Sequence, residues 1–213
     1  MEDARPGRLD RRLELAATVL LAMAAVATAW AAYQSARWHG EQAKSQSASI
    51  AARVESTRTA NVANRQVQID VALFTQWVDA YARDESKLAD FYRKRFRPEF
   101  EPAFEAWVAT KPRTNSDAPL SPFAMPQYKL AATAQADGLE AQSAAASMKV
   151  GGYIQNADNY SLAVVLFAAS LFFAGISTRL RSIAPRAVVL GLGYVLFLGT
   201  LIWVATFPVT VSV

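Results

Sequence analysis

Leu15–Tyr33 reads LAATVLLAMAAVATAWAAY, nineteen residues without a charge. A helix crossing the hydrocarbon core needs about 20 mostly apolar residues, since lipid cannot satisfy a backbone hydrogen bond. Two further stretches meet the same condition. They are Ser161–Thr178 (SLAVVLFAASLFFAGIST) and Ala187–Phe207 (AVVLGLGYVLFLGTLIWVATF), the second stopped by Pro208. The alternative is three core helices of a soluble protein. The chain has 213 residues, 53% hydrophobic and 19% charged, which leaves too little polar sequence to surround them. The charges avoid all three stretches, with none in 15–36, none in 159–178 and none after Arg186.

Basic residues near the spans give a direction, because Lys and Arg in short loops resist translocation. The amino-terminal tail carries Arg5, Arg8, Arg11 and Arg12. The link between the second and third spans carries Arg179, Arg181 and Arg186 and no acid. Both belong in the cytoplasm, so the long segment between the first two spans and the tail from Pro208 lie outside. Trp30, Tyr33, Trp38, Tyr160 and Trp203 then fall at the outer interface, where amphipathic rings are favoured. A signal peptide is the rival reading of the first span, with Ala27-Thr28-Ala29 as a cleavage site. Its apolar run is too long for that, and helix-compatible sequence follows it without a break. A retained anchor is expected.

The outer segment has 15 Lys and Arg against 14 Asp and Glu, too balanced to capture nucleic acid. With no Cys and one His, disulfides, a thiolate zinc site, a Cys nucleophile and a multi-histidine metal site are excluded within one chain. No triad, glycine-rich phosphate loop or zincin motif is present. No catalytic, cofactor-binding or metal residue is assigned, and an enzyme is not expected.

From Arg8 to Arg97 there is no proline, and Gly40 is the one glycine. The first span is expected to continue outward as a helix from Leu13 to about Asn64, on the order of 75 Å. On the returning limb Ala132, Ala136, Leu139, Ser143, Ala146, Val150, Tyr153, Ala157, Tyr160 and Val164 alternate four and three apart, a heptad seam. One helix from about Gln127 to Thr178 follows. The expected partner stripe contains Ile50, Val54 and Val71, with polar Ser47, Thr57, Asn61, Asn64 and Gln68. Whether Gly40 and Gly151-Gly152 bend these helices stays open. Between the limbs, Val67–Phe96 predicts one or two amphipathic helices cored by Leu73, Phe74, Trp77, Tyr81, Leu88, Phe91 and Tyr92. Pro98 and Pro102 end the long helix; Phe100, Phe104 and Trp107 pack a short one. Thr110–Pro126, with four prolines, is a loop.

The predicted fold is therefore an all-α membrane protein. Three transmembrane helices carry a long extracytoplasmic helical hairpin, with a small helical tip, between the first and second. Residues 1–12 form a cytoplasmic tail, 13–36 the first span, and 37–159 the outer hairpin with its tip at about 66–126. Residues 160–178 form the second span, 179–186 a cytoplasmic loop, 187–207 the third span and 208–213 an outer terminus.

Two sets of residues are candidates for contact. Glu14, Ala17, Ala24, Thr28, Ala31 and Ser35 line one side of the first span at helical spacing, and small faces permit tight packing in lipid. They suit an oligomer face, or a pore wall with Glu14 at its cytoplasmic mouth. Glu14 also reads as an interfacial charge beside Arg11 and Arg12, and packing within one chain also explains the small face. Phe96, Phe100, Phe104 and Trp107 are candidates for docking a partner at the tip. His39 beside Trp38 is read as an interfacial filler. Arg93, Lys94, Arg95 and Arg97 are read as paired with Glu99, Glu101 and Glu105.

RLELAATVLLAMAAVATAWAAYQSARWHGEQA, ARVESTRTANVANRQVQIDVALFTQWVDAYA and LADFYRKRFRPEFEPAFEAWVATKP, with SDAPLSPFAMPQYKLAATAQAD and DNYSLAVVLFAASLFFAGIS, resemble a family of uncharacterised bacterial membrane proteins, a domain of unknown function. The resemblance covers most of the chain. It implies a three-span protein of the bacterial inner membrane and supplies no residue roles. The combined expectation is a non-enzymatic, homo-oligomeric scaffold, accessory subunit or sensor. It would contact membrane lipid and a membrane-protein partner, with no nucleic acid and no cofactor. The alternative is a homo-oligomeric ion channel lined by the first span.

Overall fold

The computed structural model describes residues 8–210. These are helical, with no strand among them, in the order α1 (Arg8–Ala82), α2 (Ser86–Arg93), α3 (Glu101–Ala109), a 3-10 turn (Pro122–Ala124), α4 (Ala131–Ser177) and α5 (Ile183–Val204). Three of the helices, α1, α4 and α5, are long and apolar enough to cross a membrane, with 18-residue windows of mean hydropathy 2.0, 2.0 and 2.3. Residues 1–7 and 211–213, with the basic tail residue Arg5, lie outside the described residues.

The chain divides into two compact units, one of Met1–Ser47 with Ala146–Val213 and one of Ala48–Ala145. In the first, α1, α4 and α5 share a core of Ala17, Leu20, Ala24, Ala31, Ala157, Ala163, Phe167, Ala174, Leu190 and Phe197. Alanine recurs because it lets helix axes approach until backbone atoms are within side-chain reach. Tyr194 Oη donates to the Ala16 carbonyl (2.9 Å), Ser45 Oγ to the Ala146 carbonyl (3.0 Å), and the Ser35 and Ser161 hydroxyls share a hydrogen bond (2.9 Å). The same crowding explains Gly193. A Cβ there would lie 3.2 Å from Leu20 Cδ2 and 3.3 Å from Phe173 Cβ, while Gly191 and Gly199 face open space. Pro185 falls in the first turn of α5, where a missing N–H costs nothing.

In the second unit α1 and α4 run antiparallel. Ser49 and Ser143 bond reciprocally, each hydroxyl donating to the other's carbonyl (3.1 and 3.0 Å), and Ser56 Oγ donates to the Ala136 carbonyl (2.9 Å). On α4 every member of the 132–164 heptad is buried or half-buried. On α1 the facing stripe differs from the expected one. Ser49, Ser56, Thr59, Ala63 and Asp70 are buried, whereas Ile50, Val54 and Val71 are exposed. The buried stripe is displaced by two residues from the expected one, because small hydroxyl side chains fit a close seam and bond the opposite backbone, which a branched aliphatic chain cannot do.

Helix α1 also runs on to Ala82, past the expected end near Asn64, and both Gly40 and Gly151-Gly152 lie inside unbroken helix. Its end uses neither glycine nor proline. Asp84 takes a left-handed backbone (φ 59°), its amide bonding the Tyr81 carbonyl (3.3 Å) and the Glu85 amide the Ala80 carbonyl (3.0 Å). This pair of bonds is a Schellman cap, with aspartate where glycine is usual. Helix α3 begins with Pro102 in its first turn, and Thr110–Pro126 holds no α-helix.

Gly193→Val should lower stability by about 1–3 kcal/mol through overpacking, and Gly199→Val should fall well below that. Thermal melting of the detergent-solubilised variants checks the contrast, and equal losses at both positions would contradict the packing described.

Candidate functional site

The Ala48–Ala145 unit ends in an aromatic head. Phe96, Phe100, Phe104 and Trp107 are buried, packed by Leu73, Phe74, Trp77, Phe123, Met125 and Tyr128. Most ring pairs meet edge to face, as the aromatic quadrupole favours. Trp77 and Phe104 lie 4.7 Å apart at 84°, Phe74 and Trp107 5.3 Å at 84°, and Phe96 and Phe100 5.0 Å at 80°. Helical spacing on α3 brings Phe100, Phe104 and Trp107 to one face, over Phe74 and Trp77 of α1. The four expected docking aromatics are thus the head's own core, and a partner meets their rims at most. Of the seven expected core residues, Leu73, Phe74 and Trp77 take part. Tyr81, Leu88 and Phe91 are exposed: Tyr81 stacks on Trp77 at 4.9 Å, and Phe91 lies under the Arg95 guanidinium at 3.3 Å.

One charged cluster fastens the head. Asp70 is 0% exposed. Its Oδ2 accepts from Arg97 Nη1 (3.0 Å) and from Tyr128 Oη (3.0 Å), and Arg97 also pairs with Glu99. Asp70 Oδ1 is buried with no hydrogen-bond partner. Burial therefore raises the Asp70 carboxyl above its ordinary value, against the pull of Tyr128 and Arg97. Burial and the bond to Asp70 likewise push the Tyr128 phenol up. Three segments distant in sequence are joined through one carboxylate. The expected pairing of the basic cluster holds for Arg97 with Glu99 and for Arg93 with Glu105 (3.4 Å).

Beside the core lies an open groove of about 630 Å³. Trp77, Tyr81, Trp107, Pro112, Pro119 and Leu120 are among the residues that line it. Its loop is braced from within. Trp107 Nε1 donates to the Pro119 carbonyl (2.6 Å), Asn115 Nδ2 to the Thr110 carbonyl (3.1 Å), and the Thr114 and Asn115 amides to the Lys111 carbonyl (both 3.0 Å). Sequence reading marked this stretch only as a proline-rich loop; its internal bonds carry no sequence signal.

The first-span candidates fall into the other unit. Ala17, Ala24 and Ala31 are 0% exposed within the core of α1, α4 and α5, and Ser35 is buried with its hydroxyl bonded to Ser161. Thr28 is half-buried, its hydroxyl donating to the Ala24 carbonyl (2.7 Å), and Glu14 is exposed. Four of the six positions are thus packed against the chain's own helices, while Glu14 and Thr28 keep accessible surface. Among the described residues no group of three or more His, Cys, Asp or Glu is placed to hold a metal ion. Comparison with family models, curated proteins and solved structures finds no match to this chain.

Arg97→Met leaves Asp70 as an unpaired buried charge and should cost about 3–5 kcal/mol. Asp70→Asn tests the titration. A carboxyl held above its unfolded value contributes stability that is full below about pH 3.8 and is lost as pH rises through the raised value. The unfolding free energy of wild type minus that of Asp70→Asn should therefore fall as pH rises through this window and then level off. Denaturation of the full chain followed by tryptophan fluorescence measures it, and a difference that is flat or rises with pH would contradict the assignment.

Proposed function

We propose that the chain is a three-span protein of the bacterial inner membrane, with a non-enzymatic scaffold, accessory or sensor role exercised through its aromatic head. The amino terminus and the 179–186 loop are cytoplasmic. Residues 37–159 form an extracytoplasmic helical hairpin ending in the head, and residues 208–213 are extracytoplasmic. The reading rests most on the pairing of three apolar helices with a separately cored, internally braced head. The first unit meets the demands of lipid, and the second offers a preformed surface to water. The arginines of the tail and of the 179–186 loop set the direction.

Self-association is part of the proposal, now through a face other than the one expected from small residues. Ile50 and Ile69 are 53% and 50% exposed, and Val54 and Val62 lie on the same broad side of α1. Aliphatic side chains exposed along a helix in water mark a contact surface.

The chain has no Cys, so single cysteines report both features. In intact spheroplasts a membrane-impermeant maleimide should label Leu120→Cys at once and Ser182→Cys only after lysis. Ile50→Cys should yield a disulfide-linked dimer on mild oxidation, whereas buried Ala63→Cys should not. Labelling of Ser182→Cys from outside would overturn the orientation, and the absence of an Ile50→Cys dimer would overturn the self-association.

A further inference from the structure

The groove of the head has a chemistry of its own. Trp77, Tyr81 and the largely buried Trp107 line it, and Leu120 among the lining residues is 99% exposed. Two cations, Lys111 and Arg113, line it together with these rings, and no carboxylate does. Neither cation forms an ion pair among the described residues. Arg113 instead lies over the Tyr81 ring at 4.9 Å, which holds its guanidinium at the groove.

Lys111 is the second observation. Its backbone is left-handed (φ 54°), a conformation that a lysine adopts at a cost and glycine adopts freely. It follows α3 at the position where a helix ordinarily ends on glycine, and its amide bonds the Val108 carbonyl (3.0 Å). Local geometry alone would favour glycine here, and what lysine adds is a charge in the lining of the groove. The volume also suits a small molecule, since ligand sites run to roughly 300–1,000 Å³, are mostly apolar and carry a few fixed polar groups.

We infer that this groove is a binding site for a small amphipathic organic acid, with its apolar body against Leu120 and the exposed edges of the lining rings and its carboxylate between Lys111 and Arg113. The site is built wholly from residues of the second unit. It holds whichever side of a membrane that unit occupies, so it goes beyond the reading above and does not stand or fall with it.

Fluorine NMR of the full chain in phosphatidylcholine nanodiscs tests the site, with 3-(4-fluorophenyl)propionate as probe and its neutral amide as control. The acid's line should broaden saturably beyond its broadening on empty nanodiscs, and bind about ten-fold more tightly than the amide, as a charge-assisted contact implies. The pair Lys111→Glu and Arg113→Glu should abolish this preference. Lys111→Gly should weaken binding while leaving the melting temperature unchanged or higher, which separates loss of the site from loss of the fold. Broadening no greater than on empty discs, equal binding of acid and amide, or full affinity in the charge-reversed protein would each overturn the inference.

Discussion

The two long helices touch through side chains small enough for a hydroxyl on one to reach the backbone of the other. In the Ala48–Ala145 unit this contact sets the register: Ser49 meets Ser143, and Ser56 meets the Ala136 carbonyl. With that register in place, α1 continues its buried stripe to Asp70, and the chain entering α4 brings Tyr128 to the same carboxylate. Arg97 closes the cluster from the α2–α3 connection. The aromatic core packs around this fixed point, and Trp77 and Trp107 of that core also line the groove. A larger side chain at Ser49 or Ser143 would separate the helices and remove the geometry on which each later contact rests.

In the other unit the same small side chains join helices that are long and apolar enough to cross a membrane. Between apolar helices in lipid there is little hydrophobic gain from association, so close packing and interhelical hydrogen bonds have to supply the stability. Ala17, Ala24 and Ala31 against Ala157, Ala163 and Ala174, with the Tyr194 bond to the Ala16 carbonyl, fit that demand. The small face of the first helix is thus explained inside one chain. Of the six candidate positions on that helix, Glu14 stays exposed and Thr28 half-buried.

How far the sequence could be read follows from which signals are local. The three apolar stretches and the α4 heptad were legible because hydropathy and spacing act within one helix. The facing stripe on α1 was not. Hydropathy selects Ile50 and Val54, but Ser49 and Ser56 are buried because each finds a bond on the opposite helix, a property of the pair. The end of α1 at Asp84 was hidden because aspartate occupies the glycine position of the cap. The aromatic residues from Phe96 to Trp107 were legible as a group. That they form a core follows from Phe74 and Trp77, which sequence alone could not place opposite them. Arg97 was expected to pair with the glutamates that follow it and Tyr128 to lie at the start of the returning helix, which begins only at Ala131, so nothing local joined either to Asp70.

The register of the seam is tested most directly by disulfide trapping in this cysteine-free chain. Ser49→Cys with Ser143→Cys should form an intramolecular disulfide in high yield on mild oxidation, because the two hydroxyl oxygens already lie 3.1 Å apart. Ile50→Cys with Ser143→Cys should not, since residue 50 points about 100° away around the helix. Efficient trapping of the second pair and failure of the first would contradict the account, because α1 would then present its aliphatic stripe to α4 and the polar contacts described above could not form.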